Sequence, residues 1–156
     1  MPEWLYQQSA QSPPSRRHNI IGPDGRLVVQ TEYLTRVAGL VPVLAGLSAA
    51  SHEVVKAYFC HPAVEHVFND KKDGPFCGYR NIQMLLSYVQ AAKTEGHHLL
   101  DKHGLPAILN IQDMIEYAWE QGICSHAREE TGGIKGTRKW IGTPEVRLSD
   151  TNHWSA

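Results

Sequence analysis

The sequence predicts a domain of helices with two short strands, and three observations carry that reading. Two stretches, Ile82–Val89 and Ile108–Trp119, hold apolar residues at helical spacing. A third, Ile20-Ile21 and Leu27-Val28-Val29 about a Gly22-Pro23-Asp24-Gly25 turn, has the pattern of two short strands. Glycine, proline and polar clusters separate these stretches, as they do in a folded domain of mixed structure.

Composition bounds the function. The chain has 156 residues, 42% hydrophobic and 20% charged, enough for one domain with a core. Its formal net charge is −1 and it has no five-residue run of like charge, so nothing draws it to nucleic acid or to an anionic membrane. The start, Met-Pro-Glu-Trp-Leu-Tyr-Gln-Gln, lacks the basic and apolar regions of a signal peptide. The longest apolar stretch, Val37–Ala50, is interrupted by Pro42. It falls short of the roughly 20 residues that a membrane span requires, and it reads as a buried helix or helix pair. Three cysteines, Cys60, Cys77 and Cys124, with no CxxC, argue for a reducing compartment, cytoplasmic or nuclear.

In chain order, residues 1–30 read as a polar, Pro-rich, partly mobile arm, with Trp4 and Leu5 as an apolar anchor. Leu34, Val37, Leu40, Val41, Leu44 and Leu47 give helical periodicity broken near Gly39–Pro42. Ser51 is a plausible N-cap for a further helix carrying Val54, Val55, Tyr58 and Phe59. A helix is expected from Cys77 to about Lys93, on the stripe Ile82, Leu85, Leu86 and Val89. A loop follows over Thr94–Leu105. Pro106 suits the first turn of the next helix, whose stripe is Ile108, Ile111, Ile115, Ala118 and Trp119 and whose C′ residue is Gly122.

Cys77 is the residue on which chemistry would turn. It follows the breaker Asp73-Gly74-Pro75 and enters a helix at its first turn. There the free backbone N–H groups and the positive end of the helix dipole favour a thiolate, the nucleophilic form. Cys60 and Cys124 read as small buried apolar residues. His97, His98 and His103 lack metal-ligand spacing with any cysteine, and Cys124-Ser125-His126 is a single weak pair, so no metal site and no cofactor is expected.

Three ordered motifs resemble one family. Cys77-Gly78-Tyr79-Arg80-Asn81-Ile82-Gln83-Met84-Leu85-Leu86 is similar to the cysteine loop of the peptidases specific for ubiquitin-fold modifiers and their deubiquitinase relatives, the UfSP/ZUFSP-type family. Ile108–Gly122 resembles the family's following helix, and Gly136–Val146 (GTRKWIGTPEV) its next segment. Ala57-Tyr58-Phe59-Cys60 with His66 is similar to the approach to the cysteine. The resemblance implies a papain-like α+β cysteine peptidase with Cys77 as nucleophile. Its substrate would be the C-terminal tail of ubiquitin or a ubiquitin-like modifier. A histidine would act as base and a backbone N–H would hold the oxyanion. Gly78 would leave room for the substrate backbone.

The chain departs from the family pattern in two places. Gly74-Pro75-Phe76-Cys77 stands where the family often has Gly-Trp-Gly-Cys, and His66 and Phe68 stand where some members carry a tyrosine. Beyond Val146 the resemblance ends, and 79 residues follow Cys77, against the roughly 130–150 that separate papain-type cysteine and histidine. The expectation is therefore mainly the helical N-terminal half of the fold over residues 31–146, the β-rich half largely missing, and a non-homologous tail over 147–156. The alternative function is a truncated, inactive fragment that at most binds a ubiquitin-like protein. Such a half would leave Ile111, Ile115 and Trp119 exposed. Asp150 and His153 read as part of a frayed terminus, and His66 as a structural histidine or as a group orienting something near the cysteine. Trp119 and Trp140 read as core, with a groove wall at Lys139-Trp140-Ile141-Gly142 left open.

Overall fold

The computed structural model describes residues 1–11, 15–68 and 74–148. Asp150 and His153 lie outside these. The elements are, in order, α1 (Glu3–Ala10), β1 (Ser15–Ile21), β2 (Leu27–Tyr33), β3 (Arg36–Val37), α2 (Leu40–Ala50), β4 (His66–Val67), α3 (Cys77–Ala91), α4 (His97–His103), α5 (Ile108–Glu120), α6 (His126–Thr131) and α7 (Thr143–Leu148). Among the described residues the strands form two small antiparallel sheets, β1 with β2 and β3 with β4.

The hairpin is the one the turn predicts. Ile21 faces Leu27, and the Gly25 N–H donates to the Gly22 carbonyl at 2.9 Å. Helix α2 begins just after Gly39, which puts Pro42 in its first turn, where a missing N–H costs no helical bond. The predicted break near Gly39–Pro42 is thus a helix start. Helix α3 begins at Cys77, and α5 ends with Gly122 at a φ of 82°, the left-handed C′ position that glycine adopts without strain.

The core lies between α3 and α5. Ile82, Ile111, Ile115 and Trp119 are buried, joined by Phe76 and Tyr79 and by Ile134 from the chain after α6. Leu5 closes it from α1, wholly buried against this cluster, while Trp4 beside it is exposed; of the expected anchor pair, only Leu5 docks. This overturns the expectation that Ile111, Ile115 and Trp119 would be exposed. The N-terminal helix and the chain after α6 cover them.

Other expectations fail for identifiable reasons. No residue of α2 is fully buried among the described residues; the buried helix pair expected over Val37–Ala50 is a single, largely exposed helix. Residues 51–65 form no helix. Ser51 ends α2, its Oγ accepts from the Glu53 N–H at 3.4 Å, and Val55 and Tyr58 are exposed. A turn-type hydrogen bond to the serine side chain competes with a helical start there. The loop expected over Thr94–Leu105 contains α4, which seats Leu100 in the core. Cys60 and Cys124 are exposed, not buried.

The β3–β4 pair is tied to α3 by polar contacts. Arg36 Nε donates to Glu65 Oε2 at 2.6 Å, and the Glu65 N–H donates to Ser87 Oγ at 3.0 Å. This clamps the chain before the cysteine loop onto the C-terminal half of α3.

Leu5→Ala opens a cavity at a fully buried site and is expected to cost about 2–5 kcal/mol in urea unfolding. Val55→Ser, at a fully exposed position, is expected to change stability by less than about 0.5 kcal/mol. Equal effects of the two substitutions would show that α1 does not dock in solution.

Candidate active site

Phe76 is the N-cap of α3, and Cys77 is its first helical residue. The Arg80 N–H bonds back to the Phe76 carbonyl at 3.0 Å, so the N–H groups of residues 77–79 precede the first intrahelical bond. They are the donors that an oxyanion at this helix start would meet. Cys77 is exposed while Phe76, Gly78 and Tyr79 on either side of it are buried. The residues on either side of Cys77 are thus held by packing, while Cys77 itself faces solvent. Phe76 and Tyr79 meet edge to face, ring centroids 5.6 Å apart.

A second segment passes beside this helix start. Residues 134–142 run from the end of α6 to α7 as a strap, and they touch the chain on both flanks of Cys77. The Arg138 guanidinium occupies the place where a side chain on Gly74 would stand. A Cβ on Gly78 would lie 2.6 Å from Ile141 Cγ1 and 2.9 Å from the Ile141 carbonyl oxygen. Gly78 is therefore required by this chain's own packing. The expectation that it leaves room for a substrate backbone is corrected: Ile141 fills that room.

The strap is held by buried polar side chains that the apolar stripe of α5 does not announce. Gln112 is fully buried. Its Nε2 donates to the Thr137 carbonyl at 3.0 Å and to Tyr79 Oη at 3.3 Å, and its Oε1 accepts from the Gly136 N–H at 2.9 Å. One turn on, Glu116 Oε1 accepts from the N–H groups of Ile134 at 2.5 Å and Lys135 at 3.2 Å, while Oε2 pairs with Arg128 at 3.1 Å. Tyr79 Oη donates to the Lys139 carbonyl at 3.3 Å. At the far end Glu145, also buried, accepts from the Gly142 N–H at 2.7 Å. Polar residues at i and i+4 beside an apolar helical stripe were the available signal for Gln112 and Glu116.

Burial pushes the Tyr79 hydroxyl up to about 12, partly offset by the Gln112 hydrogen bond and helped by the nearby Glu145 and Glu116 carboxylates. The phenol stays neutral and acts as a structural donor.

The structure does not bring His66 to Cys77. It sits on β4, exposed and stacked on Phe68, one residue from the Glu65–Ser87 contact. Ser87 is ten residues along α3 from Cys77, about 15 Å at 1.5 Å per residue. His61 packs against Tyr88, and His97 contacts the Thr94 carbonyl, both also toward the C-terminal end of α3. Among the described residues no group of three histidine, cysteine or acidic side chains could hold a metal. Trp119 packs in the core as expected, but Trp140 is 68% exposed, which corrects its assignment to the core. It lies on the strap between Lys139, whose carbonyl is bound by Tyr79, and Ile141, which is seated on Gly78.

Cys77 thus starts a helix, exposed between buried neighbours and flanked by a packed strap. Residues 53–149 match the model of peptidase family C78, and the chain belongs to that family. Membership carries the papain-like cysteine peptidase fold, here in a chain of mixed helix and sheet. Similar proteins include the zinc finger-containing ubiquitin peptidase 1 of Mus musculus, 33% identical over 116 residues, and that of Homo sapiens, 32% identical over 116 residues. These alignments cover 72% and 73% of this chain, and 20% of each relative. The chain thus spans about a fifth of the length of the curated relatives it matches.

Two outcomes test the packing around the cysteine. Gly78→Ala is expected to destabilise by about 1–3 kcal/mol, the range for overpacking. Ile141→Ala should relieve this only in part, because the carbonyl oxygen remains. A full rescue in the double-mutant cycle would contradict the geometry. For Tyr79, both folded and unfolded chains hold the proton below pH 10. Above it the unfolded chain releases the proton while the folded chain keeps it to about 12, so stability falls across that window. Denaturation curves from pH 9 to 12 should show a shallower fall for Tyr79→Phe than for the parent chain.

Proposed function

We propose that this chain is a thiol peptidase acting on the C-terminal tail of ubiquitin or a ubiquitin-like modifier, with Cys77 as nucleophile. The observation that carries the reading is the exposure of Cys77 at the first position of α3, between buried residues. The Cys77 sulfur would attack the carbonyl before the scissile bond and form a thioester as the amine departs. Water would then release the acid. The N–H groups at the start of α3 are the donors nearest the developing oxyanion. The proton taken from the thiol and returned to the leaving amine requires a base, and the reading assigns none. The substrate class rests on family membership and on the names of the similar proteins, which are ubiquitin peptidases. No helix among the described residues is long and apolar enough to cross a membrane.

A second reading has its own support. His61, His66 and His97 all make their contacts away from the start of α3. If none of the chain's other histidines reaches Cys77, the chain would bind a ubiquitin-like protein without turning it over.

Ubiquitin and ubiquitin-like modifiers carrying a C-terminal propargylamide separate the two readings. Covalent labelling by one of them, abolished by Cys77→Ala, is expected for the peptidase. Binding without labelling would leave the second reading in place.

A further inference from the structure

We infer that the outer edge of β2 is an association surface for a second copy of this chain: two β2 strands pair antiparallel about Gln30 and join two hairpins into one four-stranded sheet. The inference does not depend on the peptidase reading.

Among the described residues the β1–β2 hairpin is a sheet of two strands, exposed throughout except at Tyr33, which is half-buried. Two strands alone are marginally stable in water, and further strands with an apolar face are the usual remedy. The hydrogen bonding shows which backbone groups are open. The Gly22 N–H donates to the Arg26 carbonyl at 2.8 Å, so these two residues face one another as a bonded pair. Bonded and non-bonded pairs alternate along an antiparallel ladder. Ile20 stands opposite Val28, His18 opposite Gln30 and Arg16 opposite Glu32, so the backbone groups of Val28, Gln30 and Glu32 turn inward to β1. Those of Leu27, Val29, Thr31 and Tyr33 turn outward, and among the described residues no strand pairs with them. Such a row of N–H and C=O groups is a template for another strand.

The edge fits itself. With Gln30 opposite its own copy, Val29 falls opposite Thr31 of the second copy and Leu27 opposite Tyr33. All four carry outward groups, so each pair exchanges two backbone bonds and β2 is paired over its whole length. The facing side chains are apolar, aromatic or β-branched, the pairs that stabilise a sheet. Tyr33 is already held, with the Arg36 guanidinium 4.2 Å from its ring centroid. Ile21, Leu27 and Val29 share one face of the hairpin and are all exposed, and Tyr33 of the second copy extends that apolar strip. Charge agrees with this register. Glu32 falls opposite Val28, while within its own hairpin it stands opposite Arg16. Centring the pair on Glu32 instead would set two carboxylates face to face and shorten the overlap. Strand β1 has no comparable register, because pairing it with itself gathers Arg16 and Arg17 of both copies in one ladder. Positive charge is a means of keeping an edge strand unpaired. Once two β2 strands join, the edges left on the sheet are the arginine-bearing β1 strands, so assembly closes at a two-fold dimer.

A single strand pair is at the small end of specific interfaces, so the dimer forms reversibly. Sedimentation velocity of the full chain over about a hundredfold range of concentration is expected to show monomer passing to dimer. Val29→Pro removes one outward N–H and no bond of the hairpin, and should weaken dimerisation at least about tenfold. Register is read in a chain with Cys60, Cys77 and Cys124, all exposed, replaced by serine. There Gln30→Cys is expected to oxidise to a disulfide-linked dimer, because a non-bonded pair on the two-fold axis sets its Cα atoms about 4.5 Å apart. Val28→Cys, which faces Glu32 of the other copy, should cross-link at least about tenfold more slowly. A chain that stays monomeric at every concentration overturns the inference. So does a dimer that Val29→Pro leaves intact, or one in which Val28→Cys cross-links as fast as Gln30→Cys. Should Val29→Pro disturb the hairpin itself, the disulfide comparison decides alone.

Discussion

The side-chain amide of Gln112 is the contact on which the candidate site depends. It lies fully buried, and its hydrogen bonds go to two backbone groups of the 134–142 strap and to the Tyr79 hydroxyl. A buried amide left without these partners would cost on the order of 1–3 kcal/mol per unsatisfied group, so the strap and the helix are held in one arrangement together. Glu116, one turn along α5, does the same for the start of the strap through the N–H groups of Ile134 and Lys135. Helix α5 thus determines the surroundings of the helix that starts at Cys77.

This division explains why Cys77 can be exposed while its neighbours are packed. Phe76 and Tyr79 are anchored in the core, and the space above Gly78 is filled by Ile141. Cys77 itself is left exposed. Order around it comes from packing beneath and beside it, which holds a side chain in place without enclosing it.

Much of this was legible in the sequence where periodicity and punctuation agree. The start of α3 at Cys77, the hairpin about Gly22–Gly25 and the end of α5 before Gly122 follow from breakers placed beside apolar stripes. The segment from Val37 to Tyr58 was not legible in the same way. Its apolar residues repeat with helical spacing, but periodicity cannot say whether anything covers the face, and among the described residues α2 has no fully buried position. Polar groups were the other gap. Gln112 and Glu116 sit among the residues of a core helix, and pattern reading assigns them to solvent, whereas their partners lie on a strap more than fifteen residues away. The exposure of Trp140 was likewise not legible, because it depends on that same strap. The resemblance of three motifs supplied the family and the nucleophile, and the match to peptidase family C78 bears out the first of these.

The contact between Tyr79 and Lys139 joins residues 60 positions apart in the chain. A link of that span closes late, since the entropy of bringing such distant residues together must be met before the bond contributes anything. During synthesis the cysteine helix would emerge and coil well before the strap that flanks it exists. A newly made chain therefore carries the Cys77 thiol for a time before the segment that packs beside it has been made.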